Sequence, residues 1–225
     1  MKCYSLIICL VLIVFLSVVA SAQIVLGPAD VGSPFVFYSS YAGTITTYTS
    51  ATLPGVAFVG NPFGGSHPTY SINYMQAAFE FNLGQAIPPT FTSNNFTARL
   101  GGLNVIDSTG TYSMNVYLYD MGDSTEDGNV YYNDFNSKRG ALIASSVNVI
   151  GGVPANFGII DVTEAVRNDL FGAGQTDFSG FILLCPDGPM WQTYIRYSNT
   201  PTLTICPGGD CGDSGGGCFI STAAR

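Results

Sequence analysis

Apolar residues between Gln23 and Ile205 fall in short runs that are separated by Gly, Pro, Asn, Asp and Ser. This spacing is typical of β-strands joined by turns. In Tyr112–Tyr119 every second residue from Tyr112 to Leu118 lies on one apolar face, as in a strand that has one side on a core. The predicted strands are Phe35–Tyr38, Thr44–Tyr48, Val56–Val59, Ala77–Leu83, Phe96–Ile106, Tyr112–Tyr119, Leu142–Val149, Phe157–Ile160, Gly180–Cys185, Gln192–Tyr197 and Thr202–Ile205.

One segment shows helical spacing instead. Asp161–Leu170 places its apolar residues on one stripe, with Asp161 or Thr163 available as the N-cap and Gly172 at its end. About ten strands, one short helix and a single core favour an all-β fold over βαβ units, which need long helical crossovers. We therefore expect an antiparallel, jelly-roll-like β-sandwich with one short helix.

Charge is scarce in this chain. It has 225 residues with 7 Lys and Arg against 15 Asp and Glu, a net charge of −8. A nucleic-acid-binding surface needs clustered basic residues to neutralise phosphates, so nucleic acid is excluded as a partner. The composition, which is rich in Gly, Tyr and Phe, is typical of a secreted β-rich domain.

The first residues have the pattern of a secretory signal. Lys2 precedes an apolar run from Leu6 to Ala20, and small residues follow directly, so we expect cleavage after Ala22. A retained membrane anchor is the alternative, but the run is shorter than the roughly 20 residues of a usual span. The predicted division is a signal peptide at 1–22, a β-sandwich domain at 23–205 and a Gly-rich tail at 206–225, in an extracellular or cell-surface protein.

Four cysteines follow the predicted signal, Cys185, Cys206, Cys211 and Cys218. An even number in an oxidising compartment favours disulfides, and Cys206 and Cys211 are spaced to close a small Gly-containing loop. A zinc site is the alternative; it has less support because there is no CxxC pair and the only histidine, His67, lies far upstream.

The last residues, Cys218–Ala224, resemble a short C-terminal Cys-Phe-Ile box of bacterial and archaeal surface proteins. The resemblance implies surface display or processing, with Cys218 as the residue that is modified. Membrane contact is then expected only through the processed tail. A frayed tail with a free or paired thiol is the alternative.

A second resemblance concerns the order of elements in the middle of the chain, from about Tyr74 to Ile205. It resembles the DNRLRE-type domains of secreted and cell-surface proteins. The resemblance implies a jelly-roll sandwich related to carbohydrate-binding modules. The segments that carry it are Ala78–Leu83, Ile87–Pro89, Ile160–Thr163, Gly180–Leu184 and Pro201–Ile205.

Residues suited to catalysis are few. An enzyme needs a nucleophile with a base, a metal cluster or paired acids in a cleft. His67 sits in a turn-like sequence, and nothing in the spacing of Glu80, Glu126 and Glu164 brings two of them together. We therefore expect no catalytic site and no enzyme activity, with a glycan-degrading hydrolase or lyase as the disfavoured alternative.

The densest charge lies in Asp120–Asn129. Clustered carboxylates with Gly and Asn can surround Ca²⁺, which takes six to eight oxygen ligands, although the spacing is unlike that of an EF-hand. The predicted calcium ligands are Asp120, Asp123, Glu126 and Asp127. A solvated acidic loop is the alternative, and no other cofactor is expected.

Aromatic residues offer a second kind of site. Exposed flat rings stack on the CH faces of sugars with little loss of side-chain entropy. The predicted ligand-binding residues are Tyr131, Tyr132, Trp191 and Tyr194. Together these features predict a non-catalytic protein that binds polysaccharide or a cell-surface glycan, or that mediates adhesion. The alternative is a self-associating structural component of a surface layer, sheath or extracellular fibre.

Overall fold

Strands dominate the computed structural model, which describes residues 23–41, 44–48, 52–60, 70–84, 86–87, 95–110, 114–122, 126–131, 140–149, 157–185, 193–208 and 219–221. These residues form sixteen strands and one helix. The strands are β1 (Gln23–Leu26), β2 (Asp30–Tyr41), β3 (Thr44–Tyr48), β4 (Thr52–Pro54), β5 (Ala57–Gly60), β6 (Tyr70–Met75), β7 (Ala77–Asn82), β8 (Phe96–Gly101), β9 (Val105–Thr109), β10 (Met114–Asp120), β11 (Leu142–Val149), β12 (Ile160–Asp161), β13 (Phe178–Leu184), β14 (Tyr194–Tyr197), β15 (Thr202–Pro207) and β16 (Phe219–Ser221). The helix, α1, is Thr163–Phe171 and lies between β12 and β13.

The strands form two sheets. The smaller sheet has the order β12-β8-β15-β1-β16, and the larger follows the path β11-β10-β13-β7-β2-β6-β5-β14-β9, with β3 and β4 paired to β2. The recorded pairings are antiparallel, apart from the parallel pair β1–β16. The predicted all-β, antiparallel sandwich with one helix is confirmed.

The main core lies between the two sheets. β8 contributes Phe96, Ala98 and Leu100, which alternate with partly exposed residues as a half-buried strand requires. The larger sheet contributes Phe81 and Phe181, whose rings meet edge to face with centroids 5.9 Å apart. Each fully buried aromatic side chain contributes roughly 2–3 kcal/mol through removal of apolar surface from water.

β7 and β13 are buried on both faces. Phe79 and Leu183 point into the main core, whereas Ala78, Ile182 and Leu184 point away from it into a second apolar cluster. Because both faces are covered, these strands read as continuous apolar runs rather than as alternating ones. The cover on the outer face positions the candidate site described below.

The predicted long strand Phe96–Ile106 is wrong, because the chain breaks into β8 and β9, which belong to different sheets. Gly102 takes a φ of +76°, in the left-handed region that favours glycine, and turns the chain between them. A Cβ at Gly102 would also lie 3.3 Å from the Cα of Pro201. The run of apolar residues continues through this turn, so periodicity alone did not reveal it.

Two further boundaries differ from the sequence prediction. The predicted strand Phe157–Ile160 is wrong over most of its length, because only Ile160 joins β12 while the Phe157 ring packs against the ring of Tyr197. β15 continues to Pro207, and β16, from the predicted tail, pairs with β1. The predicted signal peptide lies outside the described residues. Within the described part of the chain, no helix has the length and apolar character to cross a bilayer.

The start of α1 is held by the sequence Asp161-Val162-Thr163. The Asp161 carboxylate accepts a hydrogen bond of 2.9 Å from the Thr163 N–H, and the Thr163 hydroxyl accepts one of 2.9 Å from the N–H of Ala98 in β8. The Val162 N–H donates to the carbonyl of Ala98. The hydrogen bonds from the side chain and backbone of Thr163 lower the pKa of Asp161 below its ordinary value of 3.8, with smaller contributions from Arg99 and Arg167.

The N-cap position is Val162, which has no side-chain cap, so neither Asp161 nor Thr163 is the predicted N-cap. Replacement of Asp161 by Ala is expected to lower the free energy of unfolding by about 1 kcal/mol at neutral pH, because the Thr163 N–H loses its charged acceptor. Since the pKa of Asp161 is lower in the folded state, its carboxylate stabilises the fold above pH 3.8, and this contribution is lost as the pH falls below that value. Urea unfolding at neutral and at acidic pH measures the difference. Asp161→Asn, which keeps an acceptor oxygen, is the control and should retain most of the stability. An Asp161→Ala deficit that stays the same in acid would contradict this role.

Tyr197 is fully buried in the main core, and its hydroxyl has no hydrogen-bond partner among the described residues. Burial raises the pKa of Tyr197 well above its ordinary value of 10, so the hydroxyl stays neutral. Such a buried hydroxyl carries a desolvation cost without compensation.

Tyr197→Phe is therefore expected to leave the free energy of unfolding unchanged or raise it by roughly 1 kcal/mol, since it removes only the unsatisfied hydroxyl. Tyr194→Phe is the matched control, because the Tyr194 hydroxyl donates a 3.0 Å hydrogen bond to Asp107. Thermal and urea unfolding of both variants give the comparison. Destabilisation by Tyr197→Phe would show that its hydroxyl has a partner in solution.

Candidate functional site

A short segment, Glu126–Tyr131, covers the outer face of β7 and β13, where Val130 packs into the second apolar cluster. Two acidic residues paired across β2 and β7, Asp30 and Glu80, hold it in place. The N–H of Gly128 donates to Glu80 Oε2, and the N–H of Val130 donates to Asp30 Oδ2 at 2.8 Å. The covering segment is thus attached by carboxylates that accept its backbone N–H groups.

Glu126 attaches the start of this segment to β13. Its Oε1 accepts a hydrogen bond of 2.7 Å from the N–H of Gly180, and its carbonyl accepts one of 3.1 Å from the Thr176 hydroxyl. The same hydroxyl accepts from the N–H of Phe178 at the beginning of β13. Since a Cβ at Gly180 would lie 3.0 Å from Glu126 Cγ, only glycine leaves ordinary room for this approach.

Three buried carboxylates meet beside this attachment point. Asp120 at the end of β10, Glu126 and Asp169 in α1 each place an oxygen within 4.8 Å of the others, and they are 8%, 4% and 1% exposed. We call these three residues the acidic trio. Two like charges 4 Å apart repel by about 4 kcal/mol at an effective dielectric constant of about 20, and a cation bound between them offsets this repulsion. Carboxylate oxygens are the ligands that Ca²⁺ prefers.

The acidic trio differs from the predicted set of calcium ligands. Asp120 and Glu126 come together as predicted, whereas Asp127 is exposed and accepts the N–H of Asn129 within its own turn. Asp123 lies outside the described residues. The sequence prediction missed Asp169. Asp169 is three residues after Val166 and so lies on the buried stripe of α1. A charged residue on such a stripe is unusual, and this was the signal that could have found it.

A second group of side chains lies on the outer face of the sheet formed by β5, β14 and β9. Arg196 in β14 is opposite Phe58 on one side and Asp107 on the other, and Tyr194 is two residues before it on the same face. The Phe58 and Tyr194 rings meet edge to face at 5.5 Å. The Arg196 guanidinium lies 5.6 Å from the centre of the Phe58 ring, and the Tyr194 hydroxyl donates to Asp107. We call these four residues the Tyr194 platform.

The other predicted ligand-binding residues are not part of the platform. Tyr131 is 52% exposed and ends the segment that covers β7 and β13. Tyr132 and Trp191 lie outside the described residues. The sequence prediction named Tyr194 but missed its three neighbours, because strands distant in the chain bring them together.

Of the cysteines, Cys185 is buried directly after β13 and does not form a disulfide. Cys206 is also buried, near the end of β15. Cys211 and Cys218 lie outside the described residues, so the disulfide between Cys206 and Cys211 and the modification of Cys218 stay predictions.

The acidic residues considered for glycoside hydrolysis have structural positions. Glu80 is opposite Gly180 in the β7–β13 pair, and Glu126 accepts the N–H of the same Gly180, so two of the three acids do lie near one another. Both are buried, Glu80 beneath the covering segment and Glu126 at its start. Glu164 is exposed on α1 and forms an ion pair of 2.6 Å with Arg167. His67 lies outside the described residues.

The chain matches no family model, and no curated protein matches it. The resemblance to DNRLRE-type domains therefore remains a prediction.

Gly128→Ala tests whether the covering segment is held as described. Gly128 has a φ of +87°, and a Cβ there would lie 2.5 Å from Cε1 of Phe178. The substitution is expected to destabilise the fold by roughly 3 kcal/mol, the sum of backbone strain and overpacking. Gly55→Ala is the matched control, because Gly55 has a φ of +68° with nothing within 4 Å of a Cβ, and it should cost only about 1 kcal/mol. Equal losses in urea unfolding would contradict the close contact.

Proposed function

We propose that the protein is a secreted or cell-surface, non-catalytic β-sandwich that binds polysaccharide or a cell-surface glycan through the Tyr194 platform. The observation that carries the proposal is the grouping of two aromatic rings, a guanidinium and a carboxylate on one solvent-facing surface of the sheet. Such a surface suits an extended sugar chain, which presents flat CH faces and many hydroxyl groups.

The chemistry of the platform matches both properties of a sugar. The rings of Phe58 and Tyr194 supply contact area at a low cost in side-chain entropy. Arg196 supplies only hydrogen-bond donors and Asp107 only acceptors. The pair can therefore donate hydrogen bonds to sugar hydroxyl groups and accept hydrogen bonds from them. Contacts among the four side chains limit their rotation before a ligand arrives, and preorganisation of this kind favours binding.

The proposal includes an oxidising location. A chain in which Lys and Arg number 7 and Ser, Thr and Asn supply much of the polarity suits an extracellular protein. We propose a disulfide between Cys206 and Cys211, and attachment or processing at Cys218 in the tail. Cys206 supports the first part, because it is buried at the end of a strand directly before the glycine turn, where Gly208 has a φ of +86°.

One observation favours the alternative, a self-assembling structural component. β9 lies at the end of the larger sheet's path, and Ile106 in it is 54% exposed. An exposed apolar residue on an edge strand suits addition of another strand from a second copy. We place this function second, because the platform offers a more specific set of groups than a single exposed residue.

Retention on insoluble cellulose, chitin and xylan is the test of glycan binding. The intact chain is expected to be retained on at least one of them. Tyr194→Ala and Arg196→Ala should each weaken retention by roughly tenfold or more, as removal of a central contact does. Tyr117→Ala is the matched control. Tyr117 is a partly buried tyrosine whose ring lies beside that of Tyr119, and both residues are in β10, away from the platform strands.

Loss of retention in Tyr117→Ala but not in Tyr194→Ala would place binding elsewhere and overturn the platform. If no polysaccharide is retained and sedimentation shows assemblies that grow with concentration, the self-assembling alternative replaces the proposal.

A further inference from the structure

Ser179 is a buried polar residue that the proposed function does not use. Its side chain is 0% exposed, and its Oγ has no hydrogen-bond partner in the part of the chain that the structure describes. Burial of a hydroxyl without a partner is unfavourable, so such an atom in a folded protein needs an explanation. The site beside it supplies one.

The strand register places Ser179 on the same face of the sheet as Asp120, a member of the acidic trio. Asp120 is directly opposite Phe181 in the β10–β13 pair, so both side chains lie on the face of the sheet toward the core. Ser179 is two residues before Phe181 and shares that face, where it is a diagonal neighbour of Asp120. Helix α1, which carries Asp169, packs against this face through Ala165 and Val166.

Glu126 reaches the same place from the end of the β10–β13 ladder. The N–H of Met121 donates to the carbonyl of Gly180, and the N–H of Gly180 donates to Glu126 Oε1. Gly180 is the residue next to Ser179. A strand end, a covering segment and a helix thus bring three carboxylates to one buried point next to the part of β13 that carries Ser179.

We propose that the acidic trio and Ser179 form a buried calcium site, with Asp120, Glu126 and Asp169 as carboxylate ligands and Ser179 Oγ as a neutral ligand. The donor set contains only oxygen, which favours Ca²⁺ over softer metals such as zinc. A divalent cation removes the repulsion among the carboxylates and gives the Ser179 hydroxyl a partner. The ion links α1, β10 and the covering segment, so this inference concerns stability and does not depend on glycan binding.

Calcium binding is measured first on the intact chain, by calorimetric titration after chelation and by the luminescence of Tb³⁺, which replaces Ca²⁺ and is excited through nearby tyrosines. One saturable site with a dissociation constant below about 1 mM, the weak end for extracellular calcium modules, is expected, with displacement of Tb³⁺ by Ca²⁺. The melting temperature should rise with added Ca²⁺. Absence of saturable binding at millimolar Ca²⁺ overturns the proposal without any variant.

The variants identify the ligands. Asp169→Asn should weaken calcium binding by at least tenfold, and Glu126→Gln is the second variant if Asp169→Asn does not fold. Asp127→Asn is the matched control, because Asp127 is an exposed acid of the covering segment outside the trio, and it should bind as the original chain does. Normal binding by Asp169→Asn and Glu126→Gln, or equal loss by Asp127→Asn, would assign the ion to another place.

Ser179→Ala should change the melting temperature in opposite ways without and with calcium. With a chelator present, removal of a partnerless hydroxyl should leave the melting temperature unchanged or higher. With calcium present, the variant should bind severalfold more weakly and gain less in melting temperature than the original chain. If Ser179→Ala binds calcium with the original affinity, the hydroxyl is not a ligand.

Discussion

The carboxylates of Asp30, Glu80 and Glu126 accept backbone N–H groups and hold the covering segment over the outer face of β7 and β13. These strands carry apolar residues on both faces, and a sheet with one face open to water would expose half of them. The segment contributes Val130 to the second apolar cluster and so covers part of this face. Hydrogen bonds from N–H groups to charged acceptors are stronger than those to neutral ones, which suits a cover that has no regular secondary structure.

This arrangement explains why acidic residues are buried in a chain that has few charges. Glu80 lies within a strand of otherwise uncharged residues, and a sequence pattern alone places it on a solvent face. In the structure it is fully buried, because the segment that it holds also covers it. The acidic trio lies at the edge of the same cover, where helix α1 adds Asp169. The covering segment therefore has two effects: it buries the carboxylates at this edge, and it is itself attached through carboxylates.

The Tyr194 platform has a different physical origin. It lies on an outer sheet surface, where alternation along β5, β14 and β9 brings every second side chain to solvent. Its order comes from contacts among its own members, which are a ring pair, a cation near a ring and a hydroxyl-to-carboxylate hydrogen bond. The platform lies on β5, β14 and β9, whereas the acidic trio lies beside β10 and β13. The proposed glycan binding and the proposed calcium binding can therefore be tested separately.

Sequence alone determined the strand-rich fold and the position of the helix, because alternation and helical spacing depend on residues a few positions apart. It also indicated that the loop after β10 has clustered carboxylates of the kind that can bind a metal ion. It missed the break at Gly102, because that turn depends on one backbone dihedral angle inside an apolar run. Only the tertiary structure decided that Asp169 joins Asp120, and that Phe58 and Asp107 flank Arg196. The physical reason is that strand pairing and helix docking bring together residues whose separation along the chain contains no periodic signal.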